Sequence, residues 1–281
     1  MNITLTGAAG NVGSAVCREL VKAGHTVKAV DRLYRKDLPV PVRILDLLRQ
    51  EAAYDELEGA EMLVHLANHP TFRGRESQRV LNENVTMNMN VFQAAADVGI
   101  RRIVFSSTIQ VFTHTQPGPP KGNILHPYLP LDGHMPENVG NAYSLSKVLS
   151  ERMLRYFAAE YEGLSCVALR LPSVVLPEWL PRYRDELLQR VAPHEGFTFL
   201  RAEDAGTLAA ALAAANLTPG YRCYFPAARA PSNGRPVADL LREFYPQVPL
   251  RKPANQMDSL VDLTELERDT GWQPAFNSLG A

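Results

Sequence analysis

The sequence has 281 residues, a formal net charge of -1, 46% hydrophobic residues and 21% charged residues. This composition is typical of a globular protein, and the near-neutral charge disfavours nucleic acid or an anionic membrane surface as a partner. Three cysteines without a paired or metal-ligand spacing indicate free thiols in a reducing compartment, so we expect a cytoplasmic protein. The longest apolar stretch, residues 208–215, is too short to span a bilayer and predicts no membrane role.

The first 66 residues alternate between short apolar, β-branched segments and helical patterns. Residues 3–6 and the segments HTVKAVD, VRILD and MLVHLA are typical of strands, while residues 12–23 follow a helical pattern. Strands separated by helices connect through right-handed crossovers into a parallel sheet. The sequence therefore predicts an α/β fold built on a doubly wound parallel sheet.

The alternation continues beyond the middle of the chain. Residues 76–98 and 141–161 are predicted helices, and RRIVFSST and LSCVALRL are predicted buried strands. The proline-rich segment 115–136 between them predicts a long loop, and loops of this length are usually functional. A helix near 182–191, the strand FTFL and a helix over about 203–216 follow, in a region that we expect to form a small C-terminal lobe.

The segment TGAAGNVG, residues 6–13, lies between the first predicted strand and the first predicted helix. Gly7 permits a tight turn, Gly10 lets the backbone approach a pyrophosphate, and Gly13 allows close packing of the helix. The start of the helix also offers free N–H groups and a positive potential. This pattern predicts a site for a dinucleotide.

Asp31 ends the second predicted strand, where a carboxylate accepts hydrogen bonds from an adenosine ribose and repels a 2′-phosphate. It favours NAD over NADP. Arg32 beside it acts in the opposite direction, because a guanidinium pairs with a 2′-phosphate or stacks on adenine. Asp46 and Leu47 end the third predicted strand, where the adenine is expected to lie, although an aspartate there is also an ordinary helix cap.

The segment YSLSK places Tyr143 and Lys147 four residues apart on a predicted helix. Residues with this spacing share one face of the helix and can both reach a nicotinamide ribose lying across the strand ends. A free tyrosine has a pKa near 10 and is a poor base at neutral pH, and a nearby ammonium favours its phenolate. The pair is thus a candidate acid/base site.

The glycine-rich turn, Asp31, VHLA at 64–67, Asn84, FSST and YSLSK occur in this order, and together they resemble the extended short-chain dehydrogenase/reductases, the NAD-dependent epimerase/dehydratase family. The resemblance covers about residues 1–175 and returns weakly in AEDAGTLAAAL and TGWQPAF. It implies a Rossmann-like NAD(P)-binding domain over residues 1–175. Residues 176–281 are expected to form a smaller substrate-binding lobe, interleaved with the end of the sheet.

The resemblance also implies roles for individual residues. Tyr143 is the expected acid/base in a hydride transfer between a substrate carbinol carbon and NAD, Lys147 assists it, and Thr108 hydrogen-bonds the substrate oxygen. The substrate is expected to be a sugar or sugar derivative, and epimerisation and net oxidation both remain open. The residues expected to contact the cofactor are Gly7, Gly10, Asn11, Val12, Gly13, Asp31, Arg32, Asp46, Leu47, Leu66, Ala67, Asn84, Tyr143 and Lys147.

Departures from the family pattern bear on the substrate. Ile109 and Gln110 follow Thr108 where sugar dehydratases carry acidic residues, which disfavours dehydration, and the short segment after residue 176 disfavours a full pocket for a UDP-sugar. The segment LRLPS is similar to compact uronate-type dehydrogenases. Arg170 is then either an anchor for a substrate carboxylate or part of a structural ion pair, and Ser173 is a second candidate substrate contact.

Two further possibilities concern metals and non-catalytic function. His65 and His69 have the spacing of a metal pair but straddle a strand end, and His114, His126 and His134 are most simply exposed loop residues, so no metal is predicted. A dinucleotide sensor without catalysis is the rival interpretation from another class, since a fold does not fix a function. A homodimer is left open.

Overall fold

The computed structural model describes residues 1–71, 74–113, 126–189 and 192–279. Residues 115–125 of the predicted long loop lie outside the described residues, and so does His114. The last two positions of the helix predicted at 182–191 also lie outside them.

One parallel sheet organises the described part of the chain. The strands are β1 (Asn2–Thr6), β2 (Thr26–Asp31), β3 (Val42–Ile44), β4 (Met62–His65), β5 (Arg102–Thr108), β6 (Ser165–Leu171), β7 (Ser173–Val175), β8 (Phe199–Arg201) and β9 (Gly220–Tyr224). Seven of them pair in the order β3-β2-β1-β4-β5-β6-β9, and each neighbouring pair is parallel. The predicted doubly wound α/β fold is confirmed.

Helices cover both faces of this sheet. They are α1 (Asn11–Lys22), α2 (Gln50–Leu57), α3 (Ser77–Asp97), α4 (Ala142–Glu160), α5 (Leu180–Gln189), α6 (Ala202–Ala214), α7 (Val237–Phe244) and α8 (Thr264–Thr270). α1 packs against α6 on one face, while α3 packs against α2 and α4 on the other. The sheet is thus the middle of three layers, which explains why its central strands are apolar on both sides.

Each face of the sheet has its own apolar cluster. Leu5 of β1 and Leu208 of α6 belong to one cluster, and Phe105 of β5 and Phe157 of α4 belong to the other. The segment YSLSK, residues 143–147, lies at the start of α4, near the carboxyl ends of the strands. The two clusters therefore fix the position of α4 relative to the strand ends.

Most predicted elements agree with the structure to within a few residues, and the third strand is one that ends early. β3 ends at Ile44, whereas VRILD predicts a strand that runs to Asp46. The carboxylate of Asp46 accepts a hydrogen bond from the backbone N–H of Leu48 at 3.0 Å, which turns the chain toward α2. The local side-chain bond thus ends the strand early.

The chain after residue 175 contributes to two parts of the fold. β8 pairs with β7 in a separate two-stranded parallel sheet, whereas β9 joins the edge of the main sheet beside β6. Isolated bridges join Leu129 to Leu250 and Leu131 to Val261, so the end of the long loop lies against the C-terminal segment. The division into domains at residue 175 stays a prediction. Among the described residues, no helix has both the length and the apolarity needed to cross a membrane.

Candidate active site

A cleft opens at the carboxyl ends of β1, β4 and β5. Because these strands are parallel neighbours, Thr6 lies opposite His65 and His65 lies opposite Phe105, and the segments that follow all emerge at the same edge. The cleft holds about 270 Å³, and its walls include Val12, Leu66, Thr108, Tyr143, Lys147 and Ser173. Crevices at this edge of doubly wound sheets are where ligands bind.

The glycine-rich turn forms one end of this cleft. Gly7 has a φ of +72°, and a Cβ on it would lie 2.6 Å from the backbone nitrogen of Ala67, so the turn reaches the end of β4 only with glycine there. A Cβ on Gly13 would collide with the carbonyl of Gly7. Gly10 precedes α1 and caps it with no side chain, which leaves the first N–H groups of the helix for a ligand.

The predicted contacts beside this turn are brought together as expected. Asn11 and Val12 begin α1, and Leu66 and Ala67 follow β4 directly against Gly7. A bare backbone at a helix N-terminus, with small and apolar neighbours, fits the pyrophosphate and the flat rings of a dinucleotide. The donors present therefore match the predicted cofactor.

Asp31 supports the turn as well as facing the expected ribose position. Its two carboxylate oxygens accept hydrogen bonds from the backbone N–H groups of Ala9 and Leu33, each at 2.9 Å. A carboxylate has about four lone-pair positions, so Asp31 retains acceptor capacity for a ribose diol. Asp31 is thus placed where the sequence predicts it, with a second role that the sequence does not show.

The positive charge near Asp31 comes from Arg35, which follows Arg32 by three residues in the same basic segment. Arg32 is exposed, whereas Arg35 is half-buried and donates a hydrogen bond to the carbonyl of Ala9 at 3.3 Å. Asp37 binds the guanidinium of Arg35 at 2.8 Å, and this hydrogen bond raises the pKa of Arg35. Asp37 offsets part of this charge, and it also pairs with Arg18 at 2.6 Å. Asp31 stays the carboxylate beside the turn that is expected to favour NAD.

Leu47 and Asn84 are both buried, and their side chains are engaged within the protein. Leu47 lies in the core cluster with α3, so its side chain does not face the cleft. Asn84 is fully buried, and its amide is engaged within the protein: the oxygen accepts from the backbone N–H of His69 at 2.7 Å, and the nitrogen donates to Ser146 at 3.0 Å. These bonds join α3 to α4, and the contact of Asn84 with the cofactor stays a prediction.

Tyr143 and Lys147 lie on the buried face of α4, in the cleft. The helix begins with a capping box between Asn141 and Ser144, which fixes its first turn. Lys147 is only 2% exposed, its Nζ donates to the carbonyl of Ser106 at 2.6 Å, and it lies 5.8 Å from the centre of the Tyr143 ring. The structure therefore brings the predicted pair together at the end of β5.

The surroundings of this pair set its protonation. Burial raises the pKa of Tyr143 to about 12, and a hydrogen bond with Thr108 opposes that rise. Burial lowers the pKa of Lys147 to about 7, and the negative charge of Glu151 opposes that fall. At neutral pH the free protein thus holds a neutral phenol beside a lysine near its midpoint. The expected stabilisation of the phenolate by the ammonium is outweighed by burial.

Arg170 resolves one of the alternatives left open by the sequence. Its guanidinium binds both carboxylate oxygens of Glu151, at 3.1 and 2.8 Å, and donates to the carbonyl of Met135 at 2.6 Å. The residue is buried. Arg170 therefore forms a structural ion pair with Glu151, which favours the second alternative, and it is not among the described residues that line this cleft. Ser173 does line the cleft, on the side formed by β7.

A buried polar network behind the cleft was missed by the sequence reasoning. His65 binds Thr6 through Nδ1 at 2.6 Å and Asn88 through Nε2 at 2.8 Å, and Asn88 donates to Ser150 at 2.6 Å. Burial lowers the pKa of His65 to about 3, so the ring is neutral. The spacing that could have revealed part of this network is a pair of asparagines four apart on α3, facing serines four apart on α4.

His69 has a separate set of contacts from His65. Its Nε2 lies 2.5 Å from a carboxylate oxygen of Glu83 on α3. In the ranges that the structure describes, no three histidine, cysteine or carboxylate side chains converge as metal ligands would. The two histidines thus act as separate links between β4 and α3.

Glu195 is the second residue that the sequence did not indicate. It ends a short 3-10 helix at Pro193–Glu195, is 6% exposed, and lines the same cleft as Thr108 and Tyr143, with His194 Nε2 3.6 Å from its carboxylate. The left-handed conformation of Gly196 and a φ of 53° at Phe197 turn the chain directly after it. A carboxylate is therefore held at the substrate side of the cleft, in a lobe where the sequence has no recognisable motif.

Comparison with known proteins identifies the family. A model of the NAD dependent epimerase/dehydratase family matches residues 3–195, and the chain belongs to that family. A 2-alkyl-3-oxoalkanoate reductase of Stenotrophomonas maltophilia is 28% identical over 98% of this chain and 80% of that protein. A uronate dehydrogenase of Pseudomonas syringae pv. tomato is 26% identical over 61% of this chain and 58% of that protein.

The fold has close counterparts among solved structures. A UDP-galactose 4-epimerase superposes with a TM-score of 0.71 at 21% identity, over 99% of this chain and 95% of that chain. The predicted family and fold are thus confirmed, and NAD is the cofactor.

We expect Asp31 to govern the choice between NAD and NADP. Asp31→Asn keeps an oxygen that can accept one backbone N–H but removes the negative charge that repels a 2′-phosphate. The wild type should bind NAD at least about tenfold more tightly than NADP, and the variant should lose most of this preference. Calorimetric titration with both dinucleotides measures it, with Asp37→Asn as the control for a charge removed nearby. Equal effects of the two substitutions would show that Asp31 has no specific role.

Proposed function

We propose that this protein transfers hydride between NAD and the carbinol carbon of a small hydroxylated substrate, with Tyr143 as the acid/base. The observation that carries the proposal is the placement of Thr108, Tyr143 and Lys147 together in a cleft that begins at the glycine-rich turn. The family membership supports the redox chemistry, and the substrate class is our inference from the lining of the cleft.

The roles of the residues follow from their positions. NAD supplies a hydride acceptor when it is bound. Thr108 and Tyr143 share a hydrogen bond and lie side by side, so both hydroxyls can hold one substrate oxygen. Tyr143 accepts the proton of the substrate hydroxyl during oxidation and returns it during reduction. The ammonium of Lys147 favours the phenolate form and can donate to the ribose of the cofactor.

The cleft favours a small, uncharged substrate over a sugar acid. A uronate needs a cation beside its carboxylate, whereas Arg170 is engaged by Glu151 and is not among the described residues that line this cleft. Glu195 also lines the cleft, where its carboxylate lies 3.6 Å from His194 Nε2, and a carboxylate with about four acceptor positions can accept hydrogen bonds from hydroxyl groups as well. This arrangement supports a neutral polyol or sugar and counts against the uronate-type alternative.

Reduction of a ketone with apolar substituents is a second candidate. The observation in its favour is that Leu66, Ile109, Leu171 and Val174 all line the cleft. The reductase from Stenotrophomonas maltophilia, which matches almost the whole chain, has a name consistent with such a reaction. Either substrate uses the same Tyr143 chemistry, so the two candidates differ only in what the lobe binds.

A sensor without catalysis is less well supported. Taking the amine of Lys147 and the phenol of Tyr143 out of water costs free energy, and a protein that only binds a dinucleotide gains nothing from a buried phenol beside the cleft. A buried amine beside a buried phenol can transfer a proton, and this ability is useful to an enzyme rather than to a sensor.

A substrate screen tests the proposal. Purified protein is incubated with NAD and neutral aldoses, polyols, hexuronates or UDP-sugars, and with NADH and 3-oxoalkanoates, while the absorbance of reduced cofactor is recorded. Net oxidation of a neutral sugar raises the absorbance, ketone reduction lowers it, and epimerisation converts the sugar with no net change. Product analysis by NMR detects the last case. Absence of turnover in every arm would contradict the proposed enzyme.

Replacement of the tyrosine hydroxyl separates chemistry from binding. Tyr143→Phe should lower kcat by at least about a hundredfold, because general acid–base catalysis typically contributes that much or more. The dissociation constant of NAD should change by less than about threefold, an estimate based on the small net value of one hydrogen bond. Tyr156→Phe, at an exposed position on the same helix, is the matched control. A Tyr143→Phe protein with wild-type kcat would rule out the proposed mechanism.

The charge of Glu195 should decide which substrates are accepted. Glu195→Gln keeps the shape and one acceptor oxygen but removes the charge. We expect KM for a neutral polyol to rise by about three- to tenfold, since a charge-assisted hydrogen bond becomes a neutral one. For a sugar acid, KM should fall. Steady-state kinetics with a matched aldose and aldonate pair measures both, and identical changes for the two substrates would contradict this role.

A further inference from the structure

The face of α4 that carries Tyr143 and Lys147 continues to Glu151. These three residues are spaced by four, so they follow one another along one side of the helix. Each meets the end of β5: Tyr143 contacts Thr108, Lys147 donates to the carbonyl of Ser106, and Glu151 accepts from the hydroxyl of Ser107 at 2.5 Å. Three residues on successive turns of α4 thus each contact one of three consecutive residues at the end of β5.

Glu151 is buried, and both of its carboxylate oxygens are hydrogen-bonded. It is 2% exposed, and besides Ser107 it binds Arg170 through both oxygens. Arg170 also donates a hydrogen bond to the carbonyl of Met135, at the end of the long loop. The cluster therefore ties together β5, α4, β6 and the segment before α4.

The energetics of this cluster call for a reason beyond stability. Replacing a buried ion pair by apolar residues of similar size is often neutral or stabilising, because desolvation offsets the attraction between the charges. Leucine and methionine would fill the same positions between α4 and β6. A fully bonded charge pair one helical turn from Lys147 is thus better explained by an effect on that lysine.

We propose that Glu151, fixed by Arg170 and Ser107, is a positioning residue that keeps Lys147 in its ammonium form on the carbonyl of Ser106, ready for the cofactor. The inference rests on the role of Lys147 in the proposed function. Glu151 touches neither substrate nor cofactor in this account, and it acts only through its charge and through the strand end that it shares with Lys147.

The charges around Lys147 support this role. The titratable groups near Lys147 and Glu151 come from four elements. They are Tyr143 and Glu151 on α4, His65 on β4, Arg170 on β6, and Tyr221 and Cys223 on β9.

Burial lowers the pKa of His65 to about 3, raises that of Cys223 to about 12 and raises the pKa of Tyr221 as well, so these three are neutral between pH 6 and 9. Burial also raises the pKa of Tyr143 to about 12, which keeps the phenol neutral over the same range. Among these groups, Glu151 supplies the negative charge that favours the ammonium, and its own counter-ion is Arg170.

The test is the pH dependence of NAD binding, which requires no substrate. In the wild type, affinity should fall as pH rises through the pKa of Lys147 in the free protein, about 7. Glu151→Gln removes the anion, so the ammonium is lost at a lower pH. In a plot of log Kd against pH, the break is the pH at which log Kd begins to rise. We expect this break to lie at least about half a pH unit lower in the variant, and the affinity for NAD at pH 8 to weaken by about three- to tenfold. The affinity at pH 5.5 should change little.

Two further variants separate charge from folding. Glu151→Asp keeps the charge and should keep the break within about 0.3 pH unit of the wild type, even if stability falls. The double variant Glu151→Leu with Arg170→Met removes both charges in a form suited to a packed core, and its break should move down as well. Glu160→Gln, at an exposed position on the same helix, should have no effect.

Several results would overturn the proposal. A folded double variant with the wild-type pH profile would show that Glu151 only supports the fold, and so would failure of all three Glu151 variants to fold. If the NAD affinity of the wild type does not change between pH 6 and 9, then the protonation of Lys147 does not affect NAD binding and the proposal is wrong. Because only binding is measured, a protein that fails the substrate screen can still pass this test.

Discussion

The contact between one face of α4 and the end of β5 is the constraint on which the site depends. A lysine amine is expensive to bury, and Lys147 is buried with its Nζ on the carbonyl of Ser106 at 2.6 Å. That hydrogen bond forms only at one position of α4 along the direction of β5. The aromatic cluster of Phe92, Phe105 and Phe157 on the same face of the sheet fixes this position by packing. Core packing thus determines where the acid/base pair lies.

The polar contacts between α3 and α4 make this placement specific. Asn84 donates to Ser146, and Asn88, one turn later, donates to Ser150, so the two helices are joined by repeated bonds with a period of four residues. A shift of one helical turn would leave these buried amides without partners, at a cost of about 1–3 kcal/mol each. Apolar packing alone tolerates such shifts more easily. The network therefore specifies one arrangement of the helix that carries Tyr143 and Lys147.

The cofactor half of the site was largely predictable from the sequence, because it depends on local patterns. The turn at residues 6–13, Asp31 at a strand end and the spacing of Tyr143 and Lys147 each follow from a short stretch of chain and a parallel sheet. The partners of buried polar groups are not local. Asn84 faces Ser146 across 62 residues, and Arg170 meets Glu151 through a helix and a strand, so their roles depend on tertiary packing.

The substrate side was less predictable for a related reason. Glu195 reaches the cleft at the end of a short 3-10 helix, directly before a left-handed turn, and no periodicity marks such a segment. The pKa values were also beyond sequence reasoning. Proximity of Tyr143 and Lys147 suggests mutual stabilisation of charge, whereas burial, known only from the fold, raises one pKa and lowers the other.

The measurement that tests the account most directly is a crystal structure of the protein with NAD. The pyrophosphate should lie on the turn at residues 6–13. The nicotinamide ribose should accept a hydrogen bond from Lys147 Nζ at about 3 Å, with the nicotinamide beside the hydroxyl of Tyr143. A nicotinamide bound away from Tyr143, with Lys147 contacting only Ser106, would contradict the central claim that α4 and β5 together form a hydride-transfer site.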